Sequence, residues 1–599
     1  MPNQNSGRKI EPEIFDQLSC SNKNSFWGAM CAEVLARLGL RDAVITPGSR
    51  STPLTFAFSR HRNIQSTPVL DERSASFFAL GLAQEKHRPV VIICTSGTAA
   101  ANIYPAVIEA SESRIPLLIM TADRPPELRH CRYGQSIDQQ KLYGRYPNFE
   151  LELSLPSVKS DRLKYLRQTL IHAWERCRYP VAGPVHLNFP FRDPLAPSDD
   201  QDDQTLMQEL DLLSLIDNVE PLIEVRESCS SVEAINLVKN LKSAERGLII
   251  VGPNQPKNAE CFASSIGQIA TQLGWPTLTD GLSPLRGFLN LNPYLISHYH
   301  FILSNPGLLT RFRPKAVLSI GPLPASKILR AWLEQIPAKT WVLSEGLDNV
   351  DGLHREATPL RMSVETLRAI IGKKRTAPTA YCKEWLKVEK RVIGILNKEM
   401  RNCHFLFEGK TAWVLSKSLA KRTPLFIANS MPIRDVEIFW SANNRQIRPY
   451  FNRGANGIDG TLSTALGIAQ ANKKAVLFTG DLALLHDTNG FLIHSCFKGH
   501  LTIILINNNG GGIFENLPIA KFNPPFEDYF ATPQNVSFKK IVAAYSLEYS
   551  RVKNLDELHK MVSVLPSSGI RILEIETNRK KDTRFLKELS HSISNQLNS

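Results

Sequence analysis

The chain has 599 residues, which is too long for one hydrophobic core and indicates three to four domains. Its net charge of +14 would suit a nucleic-acid partner, but Lys and Arg are spread along the chain and no DNA- or RNA-binding signature occurs. No apolar run approaches the roughly 20 residues of a membrane-spanning helix. We therefore expect no nucleic-acid partner and no membrane span, and a basic surface also suits small polyanionic substrates.

Cysteine usage and the N-terminal residues predict the compartment. Ten Cys residues are scattered without a Cys-x-x-Cys pair, which is typical of reduced thiols rather than of a zinc site or a disulfide scaffold. Residues 1–25 are polar and lack the hydrophobic stretch of a signal peptide. We expect a cytoplasmic protein.

The first block of the chain, at about residues 22–195, alternates apolar strand-like runs with helical patterns. Its first helix is expected to be capped by Asn24 or Ser25 and to end at Leu40. The other expected elements are strands at 43–46, 89–95, 116–121 and 185–189 and helices at 75–86 and 99–111. The acidic stretch 198–204 is interpreted as a solvated linker.

Two further blocks follow the same alternation. The second has expected strands at 247–252, 277–279 and 316–321 and expected helices at 259–273 and 325–333. The basic stretch 372–378 predicts the next linker. This pattern predicts an α/β protein of doubly wound parallel sheets with helices on both faces. The predicted domains are 1–197, which includes an N-terminal extension at 1–21, then 205–372 and 380–599.

Polar residues follow two apolar runs of the third block. Gly480 and Asp481 come shortly after the apolar run 475–478. Asn508 comes shortly after the apolar run 501–506 and just before a glycine-rich turn. Two parallel strands would deliver these groups to one edge of a sheet, where ligands of open α/β sheets collect. A carboxylate, an amide oxygen and the free carbonyl of Gly510 are hard donors that suit Mg²⁺ held partly by phosphates. Two ordinary strand-to-loop turns are the alternative.

The spacing of these groups resembles the diphosphate-anchoring motif of thiamine diphosphate enzymes, which usually reads Gly-Asp-Gly and then Asn-Asn. Leu482 stands at the third position here. In the same enzymes, a glutamate in the position of Glu72 contacts the aminopyrimidine ring and shares a proton with its nitrogen. Taken alone, an acid at this point also suits the first turn of a helix.

Five further motifs narrow the resemblance. They are ITPGSRSTPL at 45–54, TSGTAAAN at 95–102, TADRPPEL at 121–128, NSMPIR at 429–434 and NRGANGIDG at 452–460. In this order, the motifs resemble the 2-succinyl-5-enolpyruvyl-6-hydroxy-3-cyclohexene-1-carboxylate synthases, in which Gly-Asp-Leu is an expected form. The resemblance is dense in the first and third blocks and loose in the second.

The resemblance implies pyrimidine-binding, central and diphosphate-binding domains, arranged in a homodimer or a dimer of dimers. It implies thiamine diphosphate and Mg²⁺ as cofactors, with Mn²⁺ able to substitute. The implied reaction is decarboxylation of 2-oxoglutarate and conjugate addition of the succinyl carbanion equivalent to isochorismate, in menaquinone or phylloquinone biosynthesis. Both substrates are dicarboxylates, and the planar fork of Arg pairs well with a carboxylate.

Matching each motif by position implies the site residues. The metal ligands are Asp481, Asn508 and the Gly510 carbonyl. The cofactor-binding residues are Glu72, Ile458, Gly480, Asp481, Leu482, Asn508, Gly510, Gly511, Ile513 and Phe514. The substrate-binding residues are Ser49, Arg50, Arg124, Gln135, Lys327, Ser430, Arg434 and Arg453. The residues with a catalytic role are Glu72, Arg50, Gln135 and Arg434.

The second block departs from the family pattern. A Lys-Arg pair is usual there, whereas this chain has Lys327 followed by Ile328, and Arg330 would lie on a different helix face. The roles of Ile458 and Ile513 also stay open, since both suit an ordinary core. Another thiamine diphosphate-dependent 2-oxo acid decarboxylase or carboligase, or a catalytically silent relative, is the alternative function.

Overall fold

The computed structural model describes residues 22–208, 210, 215–216, 219–220, 231–346, 348–372 and 377–598. The predicted extension at 1–21 and part of the second predicted linker lie outside these residues. The protein has three domains, each built on a six-stranded parallel sheet, which confirms the predicted fold class. The exact domain boundaries stay a prediction.

The chain forms two compact units. One comprises Met1–Val225 with the short segments Arg453–Ala455 and Asn489–Cys496, and therefore contains the first sheet. The other comprises Arg226–Asn452, Asn456–Thr488 and Phe497–Ser599 and contains the second and third sheets. Among the described residues, no helix combines the length and the apolar character needed to cross a bilayer.

The first sheet has the strand order β2-β1-β3-β4-β6-β5. Its strands are β1 (Asp42–Ile45), β2 (Gln65–Pro68), β3 (Val90–Cys94), β4 (Leu117–Asp123), β5 (Phe149–Glu152) and β6 (Pro184–Pro190). The helices are α1 (Lys23–Arg37), α2 (Thr52–Arg60), α3 (Glu72–Lys86), α4 (Thr98–Asn102), α5 (Tyr104–Glu112), α6 (Ser160–Arg176) and α7 (Gln201–Gln208). Strands β1, β3, β4 and β6 are buried throughout, as apolar runs in a covered parallel sheet predict.

The second sheet has the order β12-β11-β10-β7-β8-β9. Its strands are β7 (Gly247–Val251), β8 (Thr277–Thr279), β9 (Leu295–Ile296), β10 (Ala316–Ile320), β11 (Lys339–Leu343) and β12 (Thr358–Leu360). The accompanying helices are α8 (Ser231–Lys242), α9 (Ala259–Leu273), α10 (Tyr299–Leu303), α11 (Pro306–Arg311), α12 (Lys327–Glu334) and α13 (Val364–Ile371). Helix α14 (Ala380–Asn402) then leads into the third domain.

The third sheet has the order β14-β13-β15-β16-β18-β17, which repeats the connectivity of the first sheet. Its strands are β13 (Pro424–Ile427), β14 (Arg448–Tyr450), β15 (Lys474–Gly480), β16 (His500–Asn507), β17 (Glu548–Arg551) and β18 (Gly569–Glu576). The helices are α15 (Glu408–Ser418), α16 (Met431–Phe439), α17 (Thr461–Asn472), α18 (Asp481–His486), α19 (Phe538–Ala544), α20 (Leu555–Ser563) and α21 (Arg579–Asn598). In both sheets the connectivity reverses between the first and third strands of the domain, where α/β proteins bind ligands.

Short 3₁₀ and π turns complete the described elements. They lie at Pro126–Leu128, Pro284–Gly287, Leu289–Leu291, Thr488–Ser495, Gly512–Asn516, Pro518–Lys521 and Glu527–Ala531.

Three sequence predictions need correction. The cap of the first helix is Asn22, whose side chain accepts the Ser25 N–H. The predicted helix 99–111 is two helices that divide at Ile103, because Pro105 falls in the first turn of α5. The acidic stretch 198–204 is not a solvated linker, since α7 begins within it and the buried Asp203 carboxylate accepts the Lys23 N–H at 2.9 Å.

Candidate active site

The residues predicted to hold the metal and the diphosphate follow strands β15 and β16. These strands pair in parallel with Gly480 opposite Ile506, so the residues that follow them, Asp481 and Asn508, leave the same sheet edge. Asp481 is 5% exposed, and its Oδ2 accepts the Gly510 N–H at 2.8 Å. Burial raises the pKa of Asp481 to about 6, against backbone N–H groups that lower it. The Asp481 carboxylate and the glycine-rich turn at Gly510 therefore lie side by side, as the sequence predicted.

A hydrogen bond from its amide nitrogen orients the side chain of Asn508. Its Nδ2 donates to Glu408 Oε1 at 2.6 Å, while its buried Oδ1 accepts no hydrogen bond among the described residues. An unpartnered buried amide oxygen costs free energy unless a ligand satisfies it. With the Asp481 carboxylate one strand away, this oxygen gives a donor set that fits Mg²⁺. The third predicted ligand, the Gly510 carbonyl, accepts the Gly512 N–H at 2.9 Å and keeps a second lone pair.

Glycine is required in the turn after Asn508. Gly510 has φ +133°, and a Cβ there would lie 2.3 Å from the Ala531 carbonyl oxygen. A Cβ on Gly511 would lie 2.7 Å from the Phe530 carbonyl oxygen. At Gly480, by contrast, a Cβ would meet no atom within 4 Å, so the backbone here faces open space that a phosphate can approach.

Of the remaining predicted cofactor residues, Leu482 follows Asp481, and Ile513 and Phe514 follow the glycine turn. Leu482 and Ile513 are half-buried, and Phe514 packs edge-on against Phe530 with ring centroids 5.8 Å apart. Ile458 is also half-buried, and its carbonyl accepts the Thr461 hydroxyl at 2.8 Å. These contacts are compatible with either packing or cofactor support, so both roles stay predictions.

A layer of buried acids behind Asn508 was missed from the sequence. Glu408, Asp435 and Asp582 line one small cavity, and each has a carboxylate oxygen without a hydrogen bond among the described residues. Burial raises the pKa of Glu408 to about 8 and that of Asp582 to about 6, and it raises the pKa of Asp435 well above its ordinary value. Acidic residues are common in the first turn of helices, so the sequence around Glu408 gives no sign of a functional role.

Ser430 and Arg434 come together at the start of α16. Ser430 has φ +73°, and Arg434 Nη1 donates to the Ser430 carbonyl oxygen one helical turn away. The preceding Asn429 donates through Nδ2 to the carbonyl oxygens of Asn452 at 2.7 Å and Gly457 at 2.6 Å. The two motifs that contain these residues therefore form one local structure, and Asn429 is a supporting residue that the sequence analysis did not nominate.

Lys327 is the first residue of α12, follows the cap Ser326 and has an exposed side chain. Arg330, three residues further along the same helix, was not expected to be an automatic substitute for the missing partner of the Lys-Arg pair. Its Nε donates to the Pro324 carbonyl oxygen at 3.1 Å, so its guanidinium is turned toward its own loop.

The first unit brings Arg50 and Arg124 close together. Both are buried, at 7% and 8% exposure, and burial followed by the Arg50 charge lowers the pKa of Arg124. Arg50 follows β1 and Ser49, and its Nη1 donates to the Phe191 carbonyl oxygen at 3.0 Å. Acidic groups lie beside both residues: the Asp193 carboxylate is 3.8 Å from Arg50 Nη1, and the charges of Asp123 and Asp193 oppose the fall in the pKa of Arg124.

Ser96, which the sequence analysis did not nominate, joins Arg124 to Gln135. Its hydroxyl contacts Arg124 Nη1 and donates to the Gln135 carbonyl oxygen at 3.1 Å, while Gln135 Nε2 donates to the Ser96 carbonyl oxygen at 3.0 Å. Gln135 has φ +58°, and Arg124 Nη2 also donates to the Gly134 carbonyl oxygen at 2.8 Å. The predicted residues Arg124 and Gln135 are thus held in one cluster.

Glu72 is the first residue of α3, directly after the cap Asp71. Asp71 accepts the Ser74 N–H at 2.8 Å and the Asn489 Nδ2–H at 2.9 Å, so the start of the helix is fixed from two sides. Glu72 is half-buried, and its charge adds to the effect of burial in raising the pKa of the Cys94 thiol. Glu72 and Arg453 belong to the first compact unit, whereas Asp481 belongs to the second.

Known proteins with similar sequences identify the family. The N-terminal thiamine pyrophosphate binding domain matches residues 27–142, the middle domain of thiamine pyrophosphate enzymes matches 211–427, and the C-terminal binding domain matches 437–574. The 2-succinyl-5-enolpyruvyl-6-hydroxy-3-cyclohexene-1-carboxylate synthase of Acaryochloris marina is 51% identical, over 96% of this chain and 100% of its own. The synthase of the same name from Trichodesmium erythraeum is also 51% identical, over 94% and 97%.

A solved structure agrees at the level of the fold. Benzoylformate decarboxylase from Polynucleobacter necessarius superimposes with a TM-score of 0.68 at 15% identity, covering 92% of this chain and 98% of that protein. At this identity, the likeness concerns the fold alone. With relatives of about half identity over nearly its full length, the chain belongs to the 2-succinyl-5-enolpyruvyl-6-hydroxy-3-cyclohexene-1-carboxylate synthase family of thiamine pyrophosphate enzymes, which confirms the resemblance predicted from its motifs.

Proposed function

We propose that the protein decarboxylates 2-oxoglutarate and adds the succinyl group to isochorismate, giving 2-succinyl-5-enolpyruvyl-6-hydroxy-3-cyclohexene-1-carboxylate for menaquinone or phylloquinone synthesis. The names of its relatives and their identity along nearly the whole chain support this assignment. We place the reaction in the cytoplasm.

The buried pair Arg50 and Arg124 is the observation that carries the proposal. Keeping two like charges together out of water is costly unless anionic groups satisfy them. Asp193, 3.8 Å from Arg50, and Asp123 supply part of the compensating charge, and a substrate with two carboxylates offers each guanidinium a further anionic partner. This favours 2-oxoglutarate and isochorismate over the substrates of a pyruvate-type decarboxylase or carboligase.

The residues at the third sheet fit thiamine diphosphate with a divalent cation. Asp481, the Gly510 carbonyl and Asn508 Oδ1, which has no hydrogen-bond partner among the described residues, would hold Mg²⁺, with Mn²⁺ able to substitute. Gly480, Leu482, Gly511, Ile513 and Phe514 would surround the diphosphate and thiazolium end, and Ile458 would support the cofactor through its aliphatic side chain. When bound, the cofactor supplies the ring that stabilises a carbanion.

The chain's own groups then position charge and protons. Glu72 would hold a proton at the pyrimidine nitrogen. Ser430 and Arg434 would bind the succinyl carboxylate of 2-oxoglutarate with help from Arg453. The residues assigned to isochorismate and to orienting both substrates are Ser49, Arg50, Arg124, Gln135 and Lys327.

We infer that each active site needs two copies of the chain, in a homodimer or a dimer of dimers. The family resemblance, which implies a cofactor held between two subunits, supports this inference, and Glu72 and Asp481 belong to different compact units of the chain.

Product analysis tests the function directly. The purified protein is incubated with thiamine diphosphate, Mg²⁺, 2-oxoglutarate and isochorismate, and the product is identified by mass spectrometry. We expect the succinylated product and release of one carbon dioxide per turnover. Turnover of pyruvate in preference to 2-oxoglutarate would favour another thiamine diphosphate carboligase, and absence of any turnover would favour a silent relative.

A further inference from the structure

Glu109 lies on α5, outside every motif used above, and its carboxylate is 3% exposed. Its Oε1 accepts the Gly454 N–H at 2.9 Å, and its Oε2 accepts the Ala455 N–H at 2.7 Å. The Ser113 hydroxyl also donates to Oε1, at 2.6 Å. One buried carboxylate thus binds two successive backbone N–H groups directly after Arg453, within the same compact unit.

The backbone beside Arg453 is also pressed against the end of α5. A Cβ on Gly454 would lie 2.7 Å from Glu112 Cβ and 2.9 Å from the Ser113 backbone nitrogen. No side chain fits there without movement of the backbone. The glycine in this position therefore allows the close approach that the Glu109 hydrogen bonds require.

These contacts restrict the backbone torsion on the carbonyl side of Arg453. The N–H of Gly454 belongs to the planar peptide group that begins at the Arg453 Cα, so fixing the direction of that N–H fixes the rotation of Arg453 about its Cα–C bond. The next N–H is fixed in the same way. A charged acceptor makes stronger hydrogen bonds than a neutral one, and burial restricts competition from water.

We propose that Glu109 is a positioning residue that presents the Arg453 guanidinium to a substrate carboxylate. This inference rests on the proposed function, in which Arg453 binds substrate. A structural role limited to holding the loop would affect stability and every ligand, whereas positioning acts through Arg453 alone.

A double-mutant cycle separates these roles. Glu109→Gln keeps the size of the side chain but retains only one acceptor for the two N–H groups. We expect the kcat/KM of Glu109→Gln to fall about tenfold. The loss should appear as a higher KM for the substrate whose KM Arg453→Ala also raises. The affinity for thiamine diphosphate, measured by calorimetry, should not change. In the Arg453→Ala background, Glu109→Gln should cause no further loss. Glu112→Gln, which removes the same charge one helical turn away, is the matched control and should behave as the parent.

Each alternative outcome is decisive. A full additional loss in the Arg453→Ala background, or a fall in cofactor affinity together with the melting temperature, would overturn the positioning role. If Glu109→Gln does not fold, Ser113→Ala, which removes only the 2.6 Å donor to the carboxylate, is carried through the same cycle with the same expectations. Failure of the parent to form the succinylated product refutes the proposed function instead, and the cycle is then measured with the 2-oxo acid that the parent does use.

Discussion

The backbone N–H of Gly510 donates to the Asp481 carboxylate at 2.8 Å and so joins the loops that follow two neighbouring strands. Through this bond, the glycine turn and the carboxylate have a fixed relative position before any ligand binds. Asn508, whose Oδ1 accepts no hydrogen bond from the part of the chain that the structure describes, follows the adjacent strand. A preformed set of oxygen donors of this kind spends little binding free energy on ordering the protein.

The metal assignment predicts that Asp481→Ala and Asn508→Ala abolish Mg²⁺-dependent binding of thiamine diphosphate while the fold is retained. The reason is that each variant removes one of the few protein oxygens available to the ion. Calorimetric titration of the cofactor, with and without Mg²⁺, measures the effect. Asn509→Ala is the control, because Asn509 is exposed and its side chain binds Asn535 instead. Unchanged cofactor affinity in Asp481→Ala would refute the assignment.

Regular, buried elements could be predicted from the sequence. The bounds expected for α9 and β8 are those of the structure, because an amphipathic pattern and a buried run determine them locally. Strand β5 was missed, because its residues are only half-buried at the sheet edge and show no apolar run.

Local patterns failed where distant contacts decide the structure. Asp203 looks solvated in a run of acids, but a backbone N–H from α1 lies beside it. Glu408 and Ser96 become part of the candidate site only through Asn508 and Arg124, which are far away in the chain. By contrast, the ends of β15 and β16 were predicted correctly, because parallel neighbours deliver their following residues to one edge.

The buried Glu437 on α16 predicts a pH dependence of stability. Burial, and next the Asp280 charge, raise the pKa of Glu437 from 4.5 to about 7, although Arg286 lies 3.2 Å from its Oε2 and opposes the rise. Tyr299 and the Gly281 N–H also bind this carboxylate. Because the pKa of Glu437 is higher in the folded state than in the unfolded state, its protonation contributes to the free energy of unfolding. This contribution, on the order of 3 kcal/mol, is fully present below pH 4.5 and is lost as the pH rises through about 7.

Replacing the ionisable group isolates this contribution. Glu437→Gln cannot ionise, so its melting temperature should fall less than that of the parent between about pH 5 and about pH 7.5. Differential scanning calorimetry at both pH values measures the difference. Glu384→Gln, which removes an exposed carboxylate paired with Arg311, should keep the pH dependence of the parent. Equal slopes for Glu437→Gln and the parent would contradict the assigned pKa shift.

The proposal of a shared active site predicts complementation between two inactive variants. Glu72→Gln and Asp481→Ala chains, co-expressed with different tags, should form heterodimers in which one of the two sites is intact. The purified heterodimer should then have about half of the parent activity, because one of its two sites is intact. Activity of the doubly purified heterodimer is the measurement, with each homodimer as the control. Inactive heterodimers would show that each site is built from one chain.

The proposed catalytic role of Glu72 can be separated from binding. Glutamine keeps the size of the side chain and can still hydrogen-bond to the pyrimidine nitrogen, but it cannot share a proton with it. Loss of a positioned acid–base group costs about a hundred- to ten-thousand-fold in rate. We expect Glu72→Gln to lose 2-oxoglutarate decarboxylation and addition to isochorismate together, while cofactor affinity falls far less.

The neighbouring Asp71 offers a control with the same change of charge. Asp71→Asn keeps an amide oxygen that can accept the Ser74 N–H and cap α3, so its rate should stay near that of the parent. Hydrogen exchange at the thiazolium carbon of the bound cofactor, stopped by acid quench and read by NMR, measures the proton-sharing step directly. We expect exchange to slow in Glu72→Gln and to remain fast in Asp71→Asn. Exchange in Glu72→Gln as fast as in the parent would show that Glu72 serves only as an acid in the first turn of its helix.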